Sequence, residues 1–224
     1  MIDLWYAEAD RYGVLPLATG DLARMNLERP TIARPRQKFV YQAGAAEIPY
    51  TAATRVYNRP HSITAEVIIP ESGGEGVLLA HGNRHGGYTL FMKDGRLHHV
   101  HNYLGLERFM VSSPDPVPPG EASLRFEFEV TGEPDFRNGK GTPGRSQLYV
   151  NGALVASVDL PYTVPNLFAI VGLSCGRDGT DSVSPSDYAA PGEFNGEIES
   201  VTLDVTGDLI VDHESELKRL MVQQ

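Results

Sequence analysis

Two dipeptides constrain this chain most, Asp94-Gly95 and Asn151-Gly152. Each lies between two short runs rich in β-branched, aromatic and aliphatic residues. Tyr88–Met92 and Arg96–Tyr103 flank the first, and Gln147–Val150 and Leu154–Val158 flank the second. The type I′ two-residue hairpin turn needs positive φ at both positions, which Asp or Asn followed by Gly tolerates best. Each dipeptide therefore predicts a β-hairpin, and two hairpins predict antiparallel sheet.

The rest of the chain between 36 and 206 keeps the same period of two. Lys38–Tyr41 reads as a short first strand. Ser62–Ile69 alternates, is rich in β-branched residues and stops at Pro70. Val77–Ala80 is a short apolar strand, and Asn83–Gly87 a Gly-punctuated loop. In Ala122–Val130, residues Leu124, Phe126, Phe128 and Val130 alternate with Ser123, Arg125, Glu127 and Glu129, the pattern of a sheet with one wet face. Gly132–Gly144 is a loop. Leu167–Ser174 is nearly all apolar and reads as a strand buried on both faces. Phe194–Val205 closes the series, slipping out of phase at Ser200 as a β-bulge would. About ten strands with little helix predict an all-β antiparallel β-sandwich. The hairpin LYVNGALVASVDL is of the kind found in concanavalin A-like jelly rolls.

The two ends read differently. Asp3–Asp10 is compatible with a helix capped by Asp3 and broken at Gly13 and Pro16. Asp21–Leu27 suggests a further turn or two before Pro30. Leu217, Leu220 and Met221 are at helical spacing in the C-terminal tail. The expected organisation is an arm over 1–35, a sandwich over 36–206 and a helical tail over 207–224. Trp5, Tyr6, Tyr12, Leu15 and Leu17 are a large apolar load for an arm, which suggests docking on a partner domain or self-association.

A formal net charge of −10 argues against nucleic acid or an anionic membrane as partner. No apolar run approaches the roughly 18 residues that cross a bilayer. The acidic N-terminus lacks a signal peptide's basic start, so a cytoplasmic protein is expected. The single cysteine, Cys175, excludes an internal disulfide or a Cys-based zinc site and reads as a buried thiol. From Asp178 to Leu217 there are many acids and no Lys or Arg, the pattern of a solvated acidic face or, more sharply, of a cation site or an electrostatic docking surface.

Several blocks carry a resemblance. Gly76 to Phe109 reads GVLLAHGNRHGGYTLFMKDGRLHHVHNYLGLERF. It resembles the accessory domain at the C-terminal end of many bacterial formylglycine-dependent arylsulfatases, with its run GV-(I/L)-(I/L)-A-x-G, GG-(W/Y)-x-L and G-(K/R)-L followed by N-x-(L/F)-G. Leu4–Leu17 resembles that family's segment joining the catalytic domain, Ser62–Glu66 its S-(I/V)-T-A-E strand, Gly176–Tyr188 its G-x-D-x-G loop, and Phe194–Gly196 its closing F-(T/N)-G. The resemblance implies a jelly-roll fold, a sulfatase catalytic domain as partner and an origin beside a sulfuric ester hydrolase. The C/S-x-P-x-R motif that yields the sulfatase nucleophile is missing: Gly176-Arg177-Asp178 follows Cys175. No sulfatase activity is therefore expected of this chain.

Three sets of residues suggest a site. His81, Asn83, Arg84, His85, Tyr88, Asn102 and Arg108 gather in or beside the Gly76–Phe109 stretch and suggest a polar groove for a carbohydrate or a sulfate ester. Asp178, Asp181 and Asp187 lie in an oxygen-rich loop that suggests calcium, although Asp and Ser are also ordinary turn formers. His99 and His101 share one strand face, and a metal there needs a third ligand from elsewhere. Glu127 and Glu129 share another face, but the E-x-D-x-x-E pattern of jelly-roll glycoside hydrolases is missing. The sequence therefore points first to a non-catalytic accessory domain. A stand-alone lectin-like carbohydrate-binding module is the alternative, and a sandwich hydrolase a weaker one.

Overall fold

A computed structural model describes residues 1–14, 36–166, 171–205 and 207. The described strands belong to one compact unit, residues 36–212, and the N-terminal helix to another. That helix, α1 (Ile2–Arg11), starts from Met1, so Asp3 sits inside the first turn and is not the cap. There its carboxylate still complements the positive end of the helix dipole. The expected helical turns at Asp21–Leu27 and in the C-terminal tail lie outside the described residues. No described helix is long and apolar enough to cross a membrane.

Eleven strands follow: β1 (Lys38–Tyr41), β2 (His61–Ile69), β3 (Gly76–Asn83), β4 (Gly86–Lys93), β5 (Arg96–Tyr103), β6 (Glu107–Ser112), β7 (Gly120–Val130), β8 (Gly144–Val150), β9 (Ala153–Leu160), β10 (Leu173–Cys175) and β11 (Glu197–Asp204). They form two antiparallel sheets, a six-stranded one in the order β1-β11-β2-β7-β8-β9 and a five-stranded one in the order β10-β3-β4-β5-β6. Both dipeptide turns form as expected. Asp94 and Gly95 have φ of 51° and 68°, and Asn151 and Gly152 have 51° and 80°. The bulge in β11 falls between Ile198 and Ser200.

The core lies between the sheets. Ile63, Ala65 and Val67 of β2, Leu124, Phe126 and Phe128 of β7 and Leu148 of β8 meet Leu78, Leu79, Leu90, Met92, Leu97 and Val111 of the facing sheet. A second, smaller apolar cluster sits on the opposite face of the five-stranded sheet, where Val77, Ala80, Phe91 and Val100 pack under Val183 and Tyr188 of the Gly176–Gly192 loop. The central strands of that sheet are thus buried on both faces, which explains the unbroken burial of β4 from Gly86 to Met92. The run expected as one strand over Leu167–Ser174 is strand only at Leu173–Cys175, buried throughout. Residues 167–170 lie outside the described residues, and the Gly172 N–H donates to the Glu47 carboxylate at 3.0 Å. Cys175 is a buried free thiol, and burial pushes its pKa up to about 11.

Candidate functional site

The β3–β4 turn is only Arg84-His85, and it is tight because two glycines oppose each other across the ladder, Gly82 and Gly87. A Cβ on Gly82 would sit 2.1 Å from the Gly86 carbonyl oxygen, at a φ of 108°. The Asn83 side chain closes the turn by accepting from the His85 N–H at 2.9 Å. The β5–β6 turn, Leu104-Gly105-Leu106, lies against it. Asn102 joins the two: its amide donates to the carbonyls of Asn83 (3.2 Å), Arg84 (3.0 Å) and Val183 (2.8 Å), and its carbonyl accepts from Gly105 N–H at 2.8 Å. Asn102 is fully buried. It pins two turns and the covering loop, and its hydrogen-bonding capacity is filled by doing so.

The seven residues expected to line one groove therefore separate. Asn83, Arg84, His85 and Arg108 stand at the surface, Asn102 is buried behind them, and His81 and Tyr88 face the interior, 7% and 1% exposed. Strand alternation is the reason: His81 and Tyr88 are ladder partners whose side chains point between the sheets. Burial lowers the pKa of His81 to about 4.

The three aspartates also separate. Asp178 is buried and accepts from Gly179 N–H (2.7 Å), Val183 N–H (2.9 Å) and the Tyr188 hydroxyl (2.6 Å), which also meets Thr89 Oγ1 at 3.0 Å. Burial raises its pKa in spite of those donors. Asp181 forms an ion pair with Arg84 at 2.6 Å, which holds its pKa below the usual range. Asp187 accepts from the hydroxyls of Ser184 and Ser186. Among the described residues no three His, Cys, Asp or Glu side chains converge as a metal would require. The oxygen-rich loop instead fastens itself over the sheet.

The structure adds a feature that was not expected from the sequence. On the open side of the sandwich the edge strands β6 and β9 run along a corner with a hollow at each end. One, of about 210 Å³, is lined by Arg108, Phe109, Met110, Ser146, Val158, Asp159 and Leu160. The other, also about 210 Å³, lies between Pro114, Pro116, Val117 and Pro118 and the pair Val150 and Val155. In the first hollow the Ser146 hydroxyl is buried and has no hydrogen-bond partner among the described residues. Asp159 is paired with Arg145 at 3.1 Å. Arg108 is exposed and forms no ion pair among the described residues, so it is the available cation there. Ser146 does leave a sequence signal, as a polar residue on the same strand face as Leu148. The apolar wall of Phe109 and Met110 leaves none, because β6 was not separable from its turn.

Of the two carboxylates weighed for a glycosidase, Glu127 is bound to the Arg125 guanidinium at 2.5 Å.

No family model matches the chain, and no curated protein matches it. Solved structures with a related fold include the carbohydrate-binding module (CBM40) of the Ruminococcus gnavus IT-sialidase bound to α2,3-sialyllactose. It has a TM-score of 0.44 and 17% identity, over 71% of this chain and 80% of that one. A SAP-like pentraxin from Limulus polyphemus gives 0.42 and 14%, over 80% of each chain. A Caenorhabditis elegans galectin gives 0.39 and 13%, over 78% of this chain and 99% of that one. The chain has the concanavalin A-like jelly-roll sandwich fold, as its own two sheets establish. The likeness is of fold type and assigns no ligand.

Proposed function

We propose that the chain is a non-catalytic binding module that takes a saccharide bearing a carboxylate or sulfate in the corner hollow between β6 and β9. The supporting observation is that the exposed Arg108 guanidinium, which forms no ion pair among the described residues, lines the hollow beside the apolar wall of Phe109, Met110 and Leu160. A guanidinium fits planar or tetrahedral oxyanions through paired N–H donors, and the apolar wall suits the C–H face of a sugar ring. The outer face of the five-stranded sheet is the less suitable place, because Val183 and Tyr188 already cover it.

The test is a calorimetric titration of the purified chain with sulfated, sialylated and neutral lactose. Binding of the two acidic sugars is expected, with an affinity loss of at least about tenfold in Arg108→Ala, as a charged hydrogen bond implies. Undiminished binding by that variant, or equal binding of neutral lactose, would sink the reading.

A second reading is that the chain is an accessory domain that docks on a catalytic partner or on a second copy, as its resemblance to arylsulfatase accessory domains implies. It is favoured by α1, whose Ile2, Leu4, Trp5 and Tyr6 are 74%, 64%, 48% and 56% exposed. Contiguous exposed apolar side chains of this size mark contact surfaces. Light scattering of the full chain, with and without the paired changes Trp5→Ser and Tyr6→Ser, decides self-association. A mass that is monomeric in both leaves only a foreign partner.

A further inference from the structure

Behind the corner hollow lies a layer of rings between the two sheets. His61 of β2 and His99 and His101 of β5 meet there with Tyr57, Tyr88, Phe126, Phe128 and Thr163, around a hollow of about 10 Å³, room for about one water. His99 lies over Phe126 with 3.4 Å between ring centroids, and its Nε2 is buried with no hydrogen-bond partner among the described residues. His61 contacts Phe126 and Phe128 at 5.7 and 5.5 Å, and its Nδ1 lies 3.1 Å from the Arg59 carbonyl.

His101 links this layer to the corner in two ways. It is the ladder partner of Phe109, which lines the corner hollow. Its Nε2 also accepts a hydrogen bond from the Val164 N–H at 3.2 Å. Val164 follows β9 by four residues, and Leu160, the last residue of β9, lines both hollows. An imidazole accepts at Nε2 only while that nitrogen is unprotonated. Once protonated, it would point a second N–H at the first.

We infer that His101 is a proton-sensitive latch on the corner hollow: the neutral ring holds the segment after β9 in place, and proton uptake releases that segment and opens the groove. Among the described residues the groups facing the ring are His61, His99 and the phenols of Tyr57 and Tyr88, none of them a carboxylate. Beyond them lies the Arg59 guanidinium, which donates to the Val205 and Gly207 carbonyls. Burial lowers the pKa of His101 to about 3 and of His61 to about 4, and puts His99 well below its usual value. The closed form thus refuses the proton. An opened form with ordinary imidazoles accepts it, and gains population about tenfold per exposed histidine for each pH unit below roughly 6.5.

Amide exchange of the full chain at pH 7 and 5.5, corrected for the intrinsic rate at each pH, tests this. Peptides covering β9 and residues 161–164 are expected to lose about tenfold in protection through an opening confined to that segment, which exposes little surface and so depends only weakly on added urea. No loss there, or a urea dependence as steep as that of β2 and β7, overturns the latch. In His101→Gln the amide oxygen replaces Nε2 as the acceptor and does not titrate. The acid response of β9 should then disappear, and its persistence would also overturn the latch. If that variant does not fold, the urea dependence of β9 exchange in the unmodified chain still decides. The inference rests on the saccharide reading only for its consequence, an affinity for sialyllactose about tenfold weaker at pH 5.5. A chain that binds no saccharide at pH 7 but opens at β9 keeps the latch and loses that reading.

Discussion

The two faces of the five-stranded sheet are both buried, and they treat polar groups in opposite ways. On the outer face, under the Gly176–Gly192 loop, each polar group is built into a network. Asp178 has three donors, Tyr188 bridges Asp178 and Thr89, and Asn102 serves three carbonyls and one N–H. On the inner face His99 and His101, with His61 of the facing sheet, sit among aromatic rings; among the described residues His61 bonds to the Arg59 carbonyl and His101 accepts from Val164 N–H. The outer face fixes a loop by directional bonds. The inner face fills volume with rings that stay buried only while uncharged. The first should therefore break when a partner is removed, and the second when a proton is added.

The largest expected effect is acid on the inner face. His61 and His81 each have a folded-state pKa of about 4, below the ordinary 6.5, because burial disfavours the charged ring. The unfolded chain therefore takes up protons first as pH falls. Stability is held above about pH 6.5 and is lost as the pH falls toward 4. Each of the two corresponds to about 3 kcal/mol at pH 4, and His99 and His101 add to it. Domains of this size have only about 5–15 kcal/mol in hand, so urea midpoints should fall steeply between pH 6.5 and 4.5. A flat profile over that range would remove the distinction between the faces. Asp178 on the outer face has the opposite sign. Its raised pKa means that the folded form holds the proton more tightly, so this group favours folding more in acid than at neutral pH.

Next in size is Asn102→Ala. It strands the carbonyls of Asn83, Arg84 and Val183 and the Gly105 N–H at a fully buried position. A loss of about 3 kcal/mol is expected from the unsatisfied groups, read as a urea midpoint at pH 7. Asn102→Asp should cost more, because it turns the one side-chain donor into an acceptor against three carbonyls. If aspartate were the milder change, the donor role assigned to Asn102 would be wrong. Tyr188→Phe removes a single hydroxyl and leaves Asp178 its two backbone donors. A loss of about 1–2 kcal/mol is expected, with faster proteolysis inside Gly176–Gly192 and little change in the sandwich strands.

The same contrast explains how much was legible in the sequence. Most strands came through, β6 excepted, because period-two burial and the Asp94-Gly95 and Asn151-Gly152 turns are local signals. The lengths of β1 and β5 and the bulge near Ser200 follow from side chains within a few residues. The grouping of the candidate residues did not come through, because it depends on which face each side chain takes and on what covers that face. His81 and Tyr88 look like ligand residues beside Asn83 and Arg84. One ladder position decides that they point inward. The loop aspartates look like a cation site until Tyr188, ten residues after Asp178, closes on it across the sheet. The corner hollow joins β6 with β8 and β9, residues about forty to fifty apart, and no local pattern encodes that meeting.

The smallest expected effect sharpens the role of the turns. Leu104 adopts a φ of 54° in the β5–β6 turn, a left-handed conformation that costs a non-glycine residue about 1–2 kcal/mol. Its side chain is 40% exposed, so little packing offsets that cost. Leu104→Gly should relieve the strain while adding flexibility to the unfolded chain, for a net gain of at most about 1 kcal/mol. If the turn is held mainly by the Asn102 network, the gain should survive unchanged in the Tyr188→Phe background and vanish in Asn102→Ala, where the turn is free to relax. A gain that is the same in all three backgrounds would mean that the β5–β6 turn folds on its own and that Asn102 serves only the covering loop.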